Sequence, residues 1–357
     1  MLWKDTGLRI ALDISTYCNA GCPQCHRTEE NGLGKQDWLP LIRWDLETFK
    51  KAFPEEEIYR VKEFKFCGTW GDPVMCKELY EMCDHVMEHS LAQITLITNG
   101  SIRNEDWWWD LGARCGRRLQ VIFAIDGIDQ AMHEKYRRFT DLQKVLDNMS
   151  IIGQTLADVQ SSTVLFKHNQ DYKDEIMEMC KQNGSRRHSF VISDRFDEGL
   201  KSVVGNKRYF TNEDGEEEYL ERADQDILPT GTISGQGLKE NTYEINCRWA
   251  APRNEIVVNP EGQVLPCCYH ANAHYKHKFD STWGNEVWNH DIFATDYNVD
   301  QRKYNILHTP LSEIINSDWF KNKLPESTRG NNPVAQCVRH CSNRTKKIHQ
   351  IRSFHDT

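Results

Sequence analysis

Asp13-Ile-Ser-Thr-Tyr-Cys18-Asn-Ala-Gly-Cys22-Pro-Gln-Cys25-His26 follows directly on a short apolar run from Leu8 to Ile14. A strand that ends in a loop with three cysteines in eight residues, Cys18 to Cys25, places three soft ligands at one strand end. Three thiolates can hold three irons of a cubic iron–sulfur cluster and leave the fourth iron open. Structural zinc is the rival and normally asks for four ligands, with His26 as the only nearby fourth donor.

The rest of the chain determines what that loop sits on. Strands are expected at Val61–Phe66, Ile94–Thr98, Leu119–Ile125, Ser162–Phe166 and His188–Ile192. Between them, helical patterns cover Trp44–Phe53, Val74–Glu88, Asn104–Cys115, Leu142–Ile151 and Tyr172–Gln182. This alternation implies βαβ units and a mainly parallel α/β sheet, whose carboxyl strand ends carry the site. Several polar motifs fall at those ends. Phe66-Cys-Gly-Thr-Trp-Gly-Asp-Pro73 lets the backbone turn closely past a ligand at Gly68 and Gly71, with Asp72 as a candidate to contact an ammonium group. Thr98 and Asn99 end one strand and Asp126 another, and Asp126 is suited to accept hydroxyl hydrogens. His133-Glu-Lys-Tyr-Arg137 and Phe166-Lys-His-Asn-Gln170 follow later strands. Cys67 is expected to pack beside the site, and Cys76, Cys83, Cys115 and Cys180 to fill core positions.

A second group of cysteines, Cys247, Cys267, Cys268, Cys337 and Cys341, flanks Glu255–Leu265. That stretch reads as a β-hairpin turning at Asn259–Gly262. Four thiolates there would complete a cluster or a zinc site. A helix is expected over Leu311–Asn322 and a peripheral basic tail over Arg344–Arg352. The polar stretch from Ser193 to about Asn246 reads as a linker or substrate-covering segment with only short elements.

Composition narrows the classes. The 357 residues include 39% apolar and 27% charged side chains and a net charge of −9, which argue against a nucleic-acid groove. There is no apolar run of membrane-spanning length and no secretory leader pattern, so a cytoplasmic location is expected. Thirteen clustered cysteines point to metal rather than disulfides.

The spacing of Cys18, Cys22 and Cys25 resembles the cluster loop of radical S-adenosylmethionine enzymes. The glycine-rich segment resembles that family's Gly-Glu-Pro motif in its Gly-Asp-Pro form. The second cysteine group, with its Asn-Pro-Glu-Gly turn, Trp283-Gly284-Asn285 and Leu311–Ser317, resembles the SPASM or twitch extension. The resemblance implies a partial (β/α)6 TIM-like barrel with a small C-terminal auxiliary-cluster domain containing the hairpin. The expected divisions are a core over 1–195, a polar segment over 196–240, the auxiliary domain over 241–345 and a tail over 346–357. It also implies a [4Fe-4S] cluster with one open iron, S-adenosylmethionine, one auxiliary [4Fe-4S] cluster, and a flavodoxin or ferredoxin as electron donor. In this reading Gly68, Gly71, Asp72, Thr98, Asn99, Asp126 and Arg137 bind the cofactor, Arg137 near its carboxylate. Cys247, Cys267 or Cys268, Cys337 and Cys341 hold the auxiliary cluster.

The expected reaction is hydrogen abstraction from a small polar substrate, with a peptide or protein side chain as the alternative and a zinc-stabilised interaction module as the rival of another class. Asp194 is the candidate base. One departure stands inside the loop: Gln24 replaces the aromatic residue that the family places before the third cysteine.

Overall fold

A computed structural model describes residues 2–193, 195–196, 201–224, 245–250, 252–329, 332–342 and 350–353. Six strands form a parallel run in chain order: β1 (Leu8–Leu12), β2 (Val61–Phe66), β3 (Gln93–Thr98), β4 (Leu119–Ala124), β5 (Asp158–Leu165) and β6 (Arg187–Ile192). Helices Leu46–Ala52, Leu79–His89, Glu105–Cys115, Leu142–Gly153 and Lys173–Gln182 occupy the crossovers. This is the expected barrel-like α/β sheet, with element ends moved by a few residues. The helix starts have local causes. The side chains of Asp45, Asn104 and Asp141 accept from the third residue onward and cap three of these helices, a bond that polar caps favour. Instead of continuing from Val74, the helical pattern breaks at Cys76, which is extended, and a single 3₁₀ turn, Pro73–Met75, stands alone.

Strand alternation sorts the side chains into two faces. Phe64, Phe66, Ile94, Leu96, Val121, Phe123 and Val159 pack in one core with Phe49, Met82, Val86, Trp108, Leu111, Val145 and Met149 of the helices. The opposite face is polar. There Arg9 pairs with Glu63 at 2.7 Å, Thr95 donates to Glu63 at 2.8 Å, and Lys65 lies 3.9 Å from Glu255.

The hairpin forms as expected, from β10 (Glu255–Val258) and β11 (Val264–Leu265), with Gly262 at φ 86° in its turn. It lies beside the barrel strands. β10 pairs in parallel with β1 and extends the main sheet. Its burial on both faces, uninterrupted from Glu255 to Val258, is what a strand inside a sheet requires. At the other edge β12 (Gln350–Ser353), within the expected peripheral tail, pairs antiparallel with β6.

Two further segments take definite form. The polar segment contains a three-stranded antiparallel sheet, β7 (Val203–Val204), β8 (Lys207–Thr211) and β9 (Glu217–Glu221). The helix expected over Leu311–Asn322 ends at Asn316, because Ser317 is extended, and a separate helical turn covers Trp319–Lys323. Among the described residues no helix is long and apolar enough to cross a membrane.

Candidate metal and cofactor site

The cysteine loop leaves the carboxyl end of β1 and is fixed from three sides. The glycine-rich loop after β2 lies directly against it. A Cβ on Gly71 would meet the Ser15 and Tyr17 carbonyl oxygens at 2.3 and 2.6 Å, so only glycine allows this approach. The Asp72 amide donates to the Tyr17 carbonyl at 2.7 Å. From β3, Asn99 donates to Asn19 at 2.9 Å and stands 3.8 Å from the Cys18 sulfur. From the segment after β4, Arg137 donates toward the Cys22 sulfur at 3.8 Å.

Each of these residues is itself held. The buried Asp72 carboxylate accepts from the Thr98 hydroxyl at 2.9 Å and from the Asn99 and Val74 amides at 2.8 and 3.0 Å. Asp72 and Thr98 therefore tie the β2 and β3 loops together, beyond the ligand contact expected of each. Asp126 is fully buried and accepts from Arg137 and the Val164 amide. Two residues expected to meet different parts of a cofactor thus form an ion pair with each other.

The sequence pattern missed how that pair is positioned. His133 is completely buried; its Nδ1 accepts from the Asp126 amide at 3.2 Å, which leaves Nε2 to donate to the Thr140 hydroxyl at 3.1 Å. Burial, then the Arg137 charge, hold His133 neutral, with a pKa lowered to about 3. Asn169 is also buried and donates to the Asp126 and Val164 carbonyls, both at 3.0 Å. The His-x-x-x-Arg spacing was the available signal for His133.

Gln24 explains its own departure from the aromatic pattern. It is buried, accepts from the Ser193 hydroxyl at 2.6 Å and donates to the Arg195 carbonyl at 3.3 Å. Arg195 returns a bond from its guanidinium to the Gln24 carbonyl at 2.7 Å. The amide thus ties the cysteine loop to the end of β6. Asp194, the candidate base, lies outside the described residues.

Electrostatics at the loop favour a cation. Burial, Asp72 and the neighbouring thiols push Cys18 up, and burial pushes Cys22 to about 11 despite Arg137. Buried thiols crowded beside carboxylates ionise only when something positive joins them, which is what metal ligation supplies.

The second site is built from separated segments. Cys247, Cys267, Cys337 and Cys341 line one recess with Trp3, Trp249 and His270. Cys337 and Cys341 are four apart on helix Ala335–Cys341 and so share a face. Cys267 is the N-cap of helix Cys268–Phe279, where the helix dipole favours a thiolate. The thiols act on one another: Cys267 is raised by burial and by Cys268, Cys337 and Cys247, and Cys337 is pushed to about 12 by burial, Cys247 and Cys341. Cys268 is outside this recess. Burial raises it, and Lys65, Glu255 and Arg253 of the barrel side are the charges that act on it. All the donors contributed by cysteine in the recess are soft thiols, which fits an iron–sulfur group. Among the described residues no three His, Cys, Asp or Glu side chains converge in a way that holds a single metal ion.

Comparison with known proteins agrees with this division. Residues 247–342 match the SPASM family, described as an iron–sulfur cluster-binding domain. Solved structures with the same fold include anSMEcpe with bound AdoMet, 13% identical, covering 88% of this chain and 82% of that chain with a TM-score of 0.53. Another is Streptococcus suis SuiB bound to the precursor peptide SuiA, 12% identical, covering 87% and 71% with a TM-score of 0.51. The chain thus shares the fold of these structures, and its residues 247–342 are similar to the SPASM domain. Among curated proteins it is similar to a probable GTP 3′,8-cyclase of Methanocaldococcus jannaschii, 23% identical over 177 residues. A protein of the same description from Methanococcus vannielii is 27% identical over 184 residues. The match covers 49% of this chain in both cases, and the chain spans just over half the length of these relatives, 56% and 55%.

Proposed function

We propose that this chain is an enzyme that cleaves S-adenosylmethionine reductively and uses the radical to abstract hydrogen from a peptide or protein side chain. The observation that carries the proposal is the cysteine loop at the carboxyl ends of β1, β2 and β3, backed by a second recess of four cysteines. In this reading Cys18, Cys22 and Cys25 hold a [4Fe-4S] cluster with one open iron, and Cys247, Cys267, Cys337 and Cys341 hold an auxiliary one. When bound, the first cluster and S-adenosylmethionine supply the electron transfer that yields methionine and a 5′-deoxyadenosyl radical.

The chain's own residues orient and enclose. Gly68 and Gly71 let the backbone turn tightly against the cysteine loop, and Asp72 with Thr98 keeps the glycine-rich loop in place at the cofactor site. Asp126 holds Arg137 toward Cys22, so the guanidinium is available to a carboxylate. Asn99 stands on the Cys18 side. The small sheet and the segment before it cover the loop: Val203, Phe210 and Leu220 of the sheet and Phe196 pack in one cluster with Ala20, Cys22 and Tyr136, and exclude water.

Sequence alone favoured a small polar substrate. Support for a peptide comes from structural relatives solved with peptides, SuiB with SuiA and anSMEcpe with the Cp18Cys peptide, the latter 14% identical with a TM-score of 0.52. A flavodoxin or ferredoxin is the proposed donor.

Anaerobic reconstitution should load about four irons at each site, and dithionite should then drive 5′-deoxyadenosine formation. Replacing Cys18, Cys22 and Cys25 by alanine should remove half of the iron and all of that product. Product formation unchanged in the triple variant would refute the proposal. Cys267→Ser should lose the second set of irons and Cys268→Ser should keep it; zinc in place of iron at that recess would remove its electron-accepting role.

A further inference from the structure

One imidazole lines the recess of four cysteines. His270 stands there beside Cys247, Cys267, Cys337 and Cys341, and it is only 2% exposed. Helix spacing puts it there. Cys267 caps helix Cys268–Phe279, and His270 follows three residues on, so the thiol and the imidazole lie on one side of the helix. The Phe293 ring packs edge-on against the imidazole at 5.6 Å and limits its rotation. Held in this way, the His270 Nε2 lies 3.5 Å from the Cys337 sulfur, within hydrogen-bond reach for sulfur. The contact joins helix Cys268–Phe279 to helix Ala335–Cys341, two of the separate segments that build the recess.

The chemistry of the pair sets its direction. A thiol can donate to an imidazole, but a thiolate that ligates a metal carries no hydrogen and only accepts. With Cys337 as a ligand, Nε2 therefore carries the hydrogen and donates it to the sulfur. The other ring nitrogen, Nδ1, is buried and has no partner among the described residues, so no bond among them opposes this tautomer. A hydrogen bond to a ligand sulfur offsets part of its negative charge. It thus favours the more negative, reduced state of an iron–sulfur group and raises its potential.

We propose that His270 is a positioning residue of the auxiliary site: its Nε2–H donates to the Cys337 thiolate, orients that ligand and makes the site a better electron acceptor. This role rests on the reading of the recess as an iron–sulfur site, and iron uptake tests that reading separately from the potential.

Replacing Cys18, Cys22 and Cys25 by alanine in the full chain isolates the auxiliary site, whose potential is then titrated anaerobically by electron paramagnetic resonance after reconstitution. His270→Leu should keep about four irons. It should shift the equilibrium for reduction about tenfold toward the oxidised form, about 59 mV for one electron. His270→Gln, whose side-chain amide can donate from a similar place, should recover most of that shift. His277→Leu should leave the potential unchanged, because His277 lies on the same helix but bonds to the Trp283 carbonyl at 2.6 Å and does not line the recess. A residue that merely filled space would alter iron content or melting temperature and leave the potential alone. An unchanged potential in fully loaded His270→Leu would therefore overturn the inference. A second measurement needs no substitution at position 270. With isotope-labelled histidine, the reduced site should show the weak nitrogen coupling of a hydrogen-bonded imidazole. No coupling, or the strong coupling of a directly ligated nitrogen, would overturn the donor role. A recess that takes up no iron in the wild type would overturn the reading of the site and this role with it.

Discussion

Asp13 shows how much one buried carboxylate can hold back. It directly follows β1, is 1% exposed, accepts from the Thr69 amide at 3.0 Å and faces the Cys67 thiol at 3.8 Å. Burial outweighs these bonds and raises its pKa from 3.8 to about 7. Between those values the unfolded chain has released the proton and the folded chain still holds it, so stability falls as pH rises from about 4 to about 7 and is level above. The full penalty is on the order of 4 kcal/mol. Asp13→Asn should therefore match the wild type near pH 4 and become progressively more stable toward pH 7. Thermal melts of both proteins across that range check this, and parallel curves would show that Asp13 is ionised throughout. The same residue scale explains Gln24. Its replacement of an aromatic was visible in the sequence, but its bonds to Ser193 and Arg195 required β6 to be placed beside the loop.

At the scale of elements, the parallel strands and their helices were legible because each carries its own signal: apolar alternation along the strand and a polar cap before the helix. The hairpin was legible from Asn259–Gly262, and the convergence of Cys247, Cys267, Cys337 and Cys341 from residue type. The small sheet was not. β8 reads Lys-Arg-Tyr-Phe-Thr, with Arg208 and Phe210 buried on one face, and the surface that buries them is the cysteine loop nearly two hundred residues earlier. A strand whose inward positions include an arginine has no period-2 apolar pattern to find. The choice between Cys267 and Cys268 was hidden for a similar reason: adjacent residues at a helix start diverge only once the helix direction is known. Because the small sheet is held by few apolar side chains, it should open separately from the barrel. Phe210→Ala should destabilise it by about 3 kcal/mol. Hydrogen exchange would then speed up across 203–221 while β1 to β6 keep their protection; equal loss of protection throughout would show one cooperative unit.

For the molecule as a whole, the auxiliary domain is part of the barrel wall. β10 occupies the edge of β1 over four residue pairs, from Arg9–Glu255 to Leu12–Val258. The Trp3 indole donates to the Glu255 carbonyl at 2.9 Å, and the Trp44 indole to the Pro260 carbonyl at 2.8 Å. Both tryptophans are buried, in the same core as Ile256, Val258, Leu311 and Trp319. Removing the chain from residue 245 onward would leave the β1 edge unpaired and expose Trp3 and Trp44 to water, the kind of apolar open edge that pairs with other chains. A chain ending at 244 should therefore aggregate, or elute as large assemblies in size-exclusion chromatography, and not fold as an independent barrel. The four-cysteine recess belongs to the same core through Trp3, which lines it. Loading that recess with iron should accordingly raise the melting temperature of the whole barrel, since a ligand that binds only the folded state stabilises everything that unfolds with it. The Cys337→Ala, Cys341→Ala double variant tests this without truncation: its reconstituted form should show one melting transition, lower than that of the wild type. Two transitions, with the upper one at the wild-type temperature, would show that the auxiliary domain folds by itself and that β10 merely leans on β1.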